Sequence, residues 1–112
     1  MTGYGQDGPK GRHNSYDPVI QGISGLMSTT GTANASPLKT GAPVIDYASG
    51  LSGAFAVSCA LFQRERTGRG QHIDCAMLDT ALMMMSSLVT SYLFSGHVPV
   101  PREGEALGQP HG

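Results

Sequence analysis

Gly41-Ala42-Pro43-Val44-Ile45-Asp46-Tyr47-Ala48-Ser49-Gly50 runs directly into a long segment of small and apolar residues from Leu51 to Phe62. That segment closes on Arg64, Arg66 and the turn Thr67-Gly68-Arg69-Gly70. Leu51, Ala54, Phe55, Ser58 and Phe62 recur at helical spacing, so the segment predicts a helix that opens at Asp46. Gly50, Gly53, Ala54, Ala56, Val57, Ala60 and Leu61 make most of the other sides small or apolar too. Such a helix is expected to be buried on nearly all sides. Arg64 and Arg66 suit its negative end, and Gly68 is placed to terminate it.

Working outward, residues 71–77 alternate: His72, Asp74 and Ala76 against Ile73, Cys75 and Met77. This reads as a strand. Asp79 then predicts the cap of a second helix over 80–95, through Leu82, Met83, Val89, Tyr92 and Leu93 to Gly96. Upstream, 16–27 predicts a short helix with Pro18 in its first turn, where proline is tolerated. Residues 1–15, 28–44 and 97–112 read as loops. Helix, strand and helix in that order predict an α/β fold, helix-rich with few strands. One strand cannot cover two apolar helices, so the chain is expected to be a piece of a longer protein.

The 112 residues suffice for at most one small domain, and a net charge of −1 makes no electrostatic case for nucleic acid or an anionic membrane. Residues 76–95 are interrupted by Asp79, Thr80, Ser86, Ser87, Thr90 and Ser91, which argues against a membrane span there. Cys59 and Cys75 form no disulfide framework or metal-ligand spacing, so no metal is expected and a reduced cytoplasmic setting is the default. Gly3-Tyr4-Gly5-Gln6-Asp7-Gly8 matches a dinucleotide fingerprint by letter but lacks the preceding strand, so a glycine turn is the better reading. The run Met83-Met84-Met85 reads as core or subunit interface.

Asp46 has two compatible readings. Aspartate caps helices through a carboxylate oxygen, and an ionised carboxylate at a helix start can also attack an acyl group. Tyr16 and Asp17 form a polar pair at the start of the glycine-bearing helix, where Asp17 could simply be a cap.

Several stretches together resemble the class III CoA-transferases, the group of formyl-CoA transferase and the CaiB/BaiF proteins. They are Gly3-Tyr4-Gly5-Gln6-Asp7-Gly8-Pro9, Tyr16-Asp17-Pro18-Val19-Ile20-Gln21, Ser24-Gly25-Leu26-Met27-Ser28, Asp46, and Arg66-Thr67-Gly68-Arg69-Gly70-Gln71-His72-Ile73-Asp74. The resemblance implies a fragment of a Rossmann-like large domain over 1–96, with 97–112 leading out of it, in an interlocked homodimer. It implies Asp46 as catalytic nucleophile, and Asn14, Ser15, Tyr16 and Asp17 as contacts to coenzyme A. No tightly bound cofactor is implied; the CoA thioester is a substrate, beside a carboxylic acid acceptor. The α-methylacyl-CoA racemases of the same family carry a histidine where Tyr16 stands, which favours transfer over racemisation. A non-catalytic oligomerising segment is the alternative from another class.

Overall fold

Helices α1 (Asp17–Ser24), α2 (Val44–Thr67) and α3 (Met77–Met84) converge on one small core, and α4 (Ser86–Ser95) leads away from it. The structure is a computed structural model and describes residues 1–101. Ile20 of α1, Ile45 of α2, and Met77 and Ala81 of α3 form the buried cluster; Tyr4, Leu26, Val44 and Leu78 pack against it. The helical fold is as expected for the helix-rich part of the reading. The linker expected over 97–112 lies outside the described residues from 102 onward.

The ends of α1 follow local chemistry: Pro18 occupies its first turn and Gly25 its C-cap. A 3-10 turn, Met27–Thr29, follows. The loop after it is held at its base, since Leu38 N–H donates to the Met27 carbonyl (3.1 Å) and Ser36 Oγ to the Ser28 carbonyl (3.1 Å). Helix α2 stops at Gly68, whose φ of 73° is left-handed and whose N–H donates to the Arg64 carbonyl (2.8 Å). Glycine there avoids the steric cost of a Cβ.

The strand expected over 71–77 does not form, and no strand occurs among the described residues. A single parallel bridge joins Thr2 to Ala76. Thr2 N–H donates to the Cys75 carbonyl (3.0 Å), and Met77 N–H to the Thr2 carbonyl (2.9 Å). Alternation describes where side chains point, but a strand also needs a neighbour to bond, and here α3 begins immediately after the bridge. The helix expected over 80–95 is likewise two helices. They meet at Met85 with a bend of 74°. Ser86 and Ser87 follow the break, and serine pairs are a usual site of helix kinks. Asp79 is not a cap but a first-turn residue of α3, whose N-cap is Ala76. Met85 is buried, while Met83 and Met84 are exposed. Met85 also lines an apolar groove of about 360 Å³ with Leu88, Val89 and Tyr92.

The largest departure concerns α2. Only Ile45 and Ser49 of this helix are buried; Leu51 and Phe55 are each 74% exposed, and Phe62 is 61% exposed. The accessible surface is 8232 Å², against about 5,900 Å² expected of a folded monomeric chain of 11.7 kDa. The radius of gyration is 17.3 Å, against about 13 Å for a compact domain of this length. By length and composition alone α2 is apolar enough to cross a membrane, with a mean hydropathy of 1.4 over its best window. Interior helices of soluble proteins meet the same criterion. With so much apolar surface uncovered, the isolated chain is expected to self-associate. Size-exclusion chromatography with light scattering should give oligomers or aggregate, and a cooperatively melting monomer would contradict this.

Candidate active site

The start of α2 has an unusual source for its cap. Pro43 is the N-cap and has no side-chain group to accept a hydrogen bond. The first N–H groups of any helix lack intrahelical partners, so they must find others. Val44 N–H donates to the Ala42 carbonyl (2.8 Å). Ile45 N–H and Asp46 N–H both donate to Asp17 Oδ2, at 2.7 and 3.1 Å. Tyr47 N–H then begins the helical pattern by donating to the Pro43 carbonyl (3.2 Å). Asp46 is therefore not the N-cap of this helix. It lies in the first turn, and the capping carboxylate comes from α1, 28 residues earlier than Ile45.

Asp17 is only 3% exposed, and its second oxygen is also engaged. Gln21, one turn along α1 and fully buried, donates from Nε2 to Asp17 Oδ1. The same Nε2 donates to Thr40 Oγ1 (3.0 Å), and Gln21 Oε1 accepts from Thr40 N–H (3.0 Å). Thr40 Oγ1 donates onward to the Ala42 carbonyl (2.8 Å). One continuous network thus links α1, the 40–42 segment and the first turn of α2. Asp17 was expected to face coenzyme A; the structure turns its side chain inward, to the backbone that carries Asp46.

Asp46 itself is exposed. Its carboxylate accepts no hydrogen bond from the described residues, and the N–H groups of Ile45 and Asp46 are taken by Asp17. Negative charge in a first helical turn is favoured by the helix dipole. Tyr16 is the N-cap of α1, is 71% exposed and makes no side-chain cap bond, and its phenol has no hydrogen-bond partner among the described residues. The structure thus joins Asp17 to the backbone of Asp46, with Tyr16 next in the chain to that junction.

Asn14 and Ser15 line a cleft of about 430 Å³, together with Thr2, Gly3, Arg12 and His13. Asp46 is not part of that lining. Gly3 permits the closure: a Cβ there would overlap Ser15 Oγ and come within 2.6 Å of Ser15 Cβ. The fingerprint-like glycines therefore serve a folded-back turn. Tyr4 of that turn has Lys10 Nζ 5.7 Å from its ring centre and His13 edge-on at 6.3 Å. Arg12, a cleft residue, carries no motif in the sequence; its adjacency to Asn14 and Ser15 was the available signal. Among the described residues no cluster of His, Cys, Asp or Glu could hold a metal ion.

The first turn of α2 thus presents an exposed carboxylate, with a buried acid from the preceding helix bonded to its backbone. The chain belongs to CoA-transferase family III, whose sequence profile matches residues 1–111. It is 40% identical over 100 residues to the succinate–glutarate CoA-transferase of Agrobacterium fabrum, an alignment covering 89% of this chain and 25% of that protein. It is 36% identical over 112 residues to the human succinyl-CoA:glutarate CoA-transferase, covering 100% of this chain and 24% of the relative. Among solved structures it is similar to a CaiB/BaiF family protein from Brucella suis. The TM-score is 0.86 at 39% identity, over 89% of this chain and 26% of that one. The chain thus spans about a quarter of the length of the curated relatives it matches.

Proposed function

We propose that this chain carries the nucleophile of an acyl-CoA:carboxylate CoA-transferase and that the nucleophile is Asp46. The observation that carries this reading is the exposed Asp46 carboxylate, left free because Asp17 caps the helix in its place. A carboxylate oxygen attacks the thioester carbonyl carbon of an acyl-CoA. The C–S bond breaks, giving a mixed anhydride and the CoA thiolate. The thiolate attacks the aspartyl carbonyl, the anhydride C–O bond breaks, and the donor acid leaves as a carboxylate. An acceptor carboxylate then attacks the aspartyl-CoA thioester and expels the thiolate. The thiolate attacks the acceptor's carbonyl, releasing the new acyl-CoA and restoring Asp46. Splitting the transfer in this way stores the thioester's activation on the protein, provided that water is kept out.

In this reading Asn14, Ser15 and Tyr16 face coenzyme A and the acyl group, while Asp17 supports Asp46 from beneath. No tightly bound cofactor takes part. Residues 1–96 belong to a Rossmann-like large domain, and residues from 97 lead out of it. The apolar sides of α2 and α4 are covered by the rest of that domain and by a second subunit of an interlocked dimer, not by lipid, in the cytoplasm. Tyr16 supports transfer over racemisation, because a phenol stands where the racemases of the family carry their histidine base.

The test uses the complete protein with succinyl-CoA as donor, a choice suggested by the names of the two relatives, and no acceptor. Hydroxylamine is added and the peptide containing Asp46 is analysed by mass spectrometry. A hydroxamate at Asp46 is the expected result. An unmodified Asp46 in protein shown to bind the acyl-CoA would sink the reading, and solvent deuterium entering the α-carbon of a branched acyl-CoA would replace it with racemisation.

A further inference from the structure

We infer that Asp17, held by Gln21 and Thr40, is the positioning residue for Asp46: it fixes where the nucleophile stands and leaves its carboxylate unbonded. The inference rests on Asp46 being the nucleophile. It goes further in assigning to Asp17 a role in the chemical step and not in gripping coenzyme A. Both carboxylate oxygens of Asp17 are committed, Oδ2 to the N–H groups of Ile45 and Asp46 and Oδ1 to Gln21. At 3% exposure it has almost no surface to offer a ligand.

The orientation of each amide in the network is determined. Thr40 N–H must meet an acceptor, so Gln21 Oε1 faces Thr40 and Nε2 faces Asp17. Gln21 cannot turn over without placing its N–H groups against Thr40 N–H. Asp17 must therefore present acceptors on both edges, one to Gln21 and one to α2. Asparagine has an acceptor on one edge only. In Asp17→Asn, either the α2 cap or the Gln21 contact faces a donor with a donor. If the cap fails, Ile45 and Asp46 N–H groups seek another acceptor, and the nearest freely turning carboxylate in the first turn is that of Asp46. The nucleophile then bonds to its own helix end, and its attack on the thioester slows.

The experiment measures the first turnover of the complete protein with succinyl-CoA, quenched into hydroxylamine at successive times. Burst amplitude counts folded sites, and the rate constant reports how each site reacts. Asp17→Asn is expected to slow the rate constant about 10- to 100-fold, the loss usual for a small misplacement of a reacting group. The KM for acyl-CoA should change little. Asp17→Asn with Gln21→Glu restores an acceptor opposite the asparagine amide, and this double variant should recover much of the rate. Thr40→Val, which removes only the hydroxyl, supplies a milder case should Asp17→Asn not fold, and it is expected to slow the step severalfold. A reduced amplitude with an unchanged rate constant in these variants would make Asp17 merely structural and overturn the inference. A raised KM with an unchanged rate constant would return Asp17 to coenzyme A binding and overturn it equally. If the unaltered protein forms no adduct at Asp46, the proposed function fails first and the inference with it.

Discussion

Asp46→Asn is expected to abolish CoA transfer, with a loss of about 10,000-fold or more, the scale seen when a covalent nucleophile is removed. The amide has nearly the same shape, but its oxygen is a weak nucleophile and it forms no anhydride with the acyl group. The change should leave the helix intact. Asp17, not Asp46, satisfies the N–H groups of Ile45 and Asp46. Removing the first-turn charge forfeits only a dipole interaction of about 0.3–1 kcal/mol. The variant should therefore melt close to the unaltered protein while its steady-state rate, followed by chromatographic separation of acyl-CoA products, falls to background. A variant that keeps near-normal turnover would remove Asp46 from the chemistry.

Ile45→Ala is expected to produce the largest loss of stability, about 2–5 kcal/mol. Ile45 is 0% exposed and packs in the core with Ile20, Met77 and Ala81. A cavity there can refill only by moving α1 or α3 against α2. Since domains of this kind hold about 5–15 kcal/mol in total, the loss is a large share. Denaturant unfolding of the complete protein would measure it, and a cost below about 1 kcal/mol would show that the site collapses without strain. The adjacent positions divide the labour: Ile45 faces inward and anchors the helix start, while Asp46 faces out with the register that Ile45 sets.

Elements with local determinants were legible in the sequence. Gly68 and the arginines before it end α2, and Pro18 opens α1, because each acts within a turn of its own position. The cap of α2 was not legible. Capping rules search the residues next to a helix start, whereas Asp17 reaches Ile45 across 28 positions. The same limit hid the inward turn of Asp17, which beside Tyr16 reads as a polar pair at the start of its own helix. The strand expected at 71–77 does not form because its partners are a matter of tertiary structure; among the described residues Thr2 supplies the one bridge to it. The break at Met85 carries neither glycine nor proline, and only the serines after it hinted at a bend. The apolar character of α2 was read correctly, but the cover it calls for does not come from the described residues. Of the candidate site, Tyr16 and Asp46 are both exposed, while Arg12 and His13, next to Asn14 and Ser15 in the chain, share a cleft with them because the first residues fold back there.

The double clamp on the loop between α1 and α2 has a consequence for how this site can vary. Two of its anchor points, Leu38 against Met27 and Thr40 against Gln21, sit between the loop's tip and Asp46. Residues 31–35 lie beyond these anchors and are exposed. Lengthening them costs little, about 0.6 kcal/mol for each doubling of a flexible loop. The added chain pulls on the clamps and not on the first turn of α2. That loop tip is a place where relatives can diverge, or a designer can graft, while the carboxylate of Asp46 keeps its address.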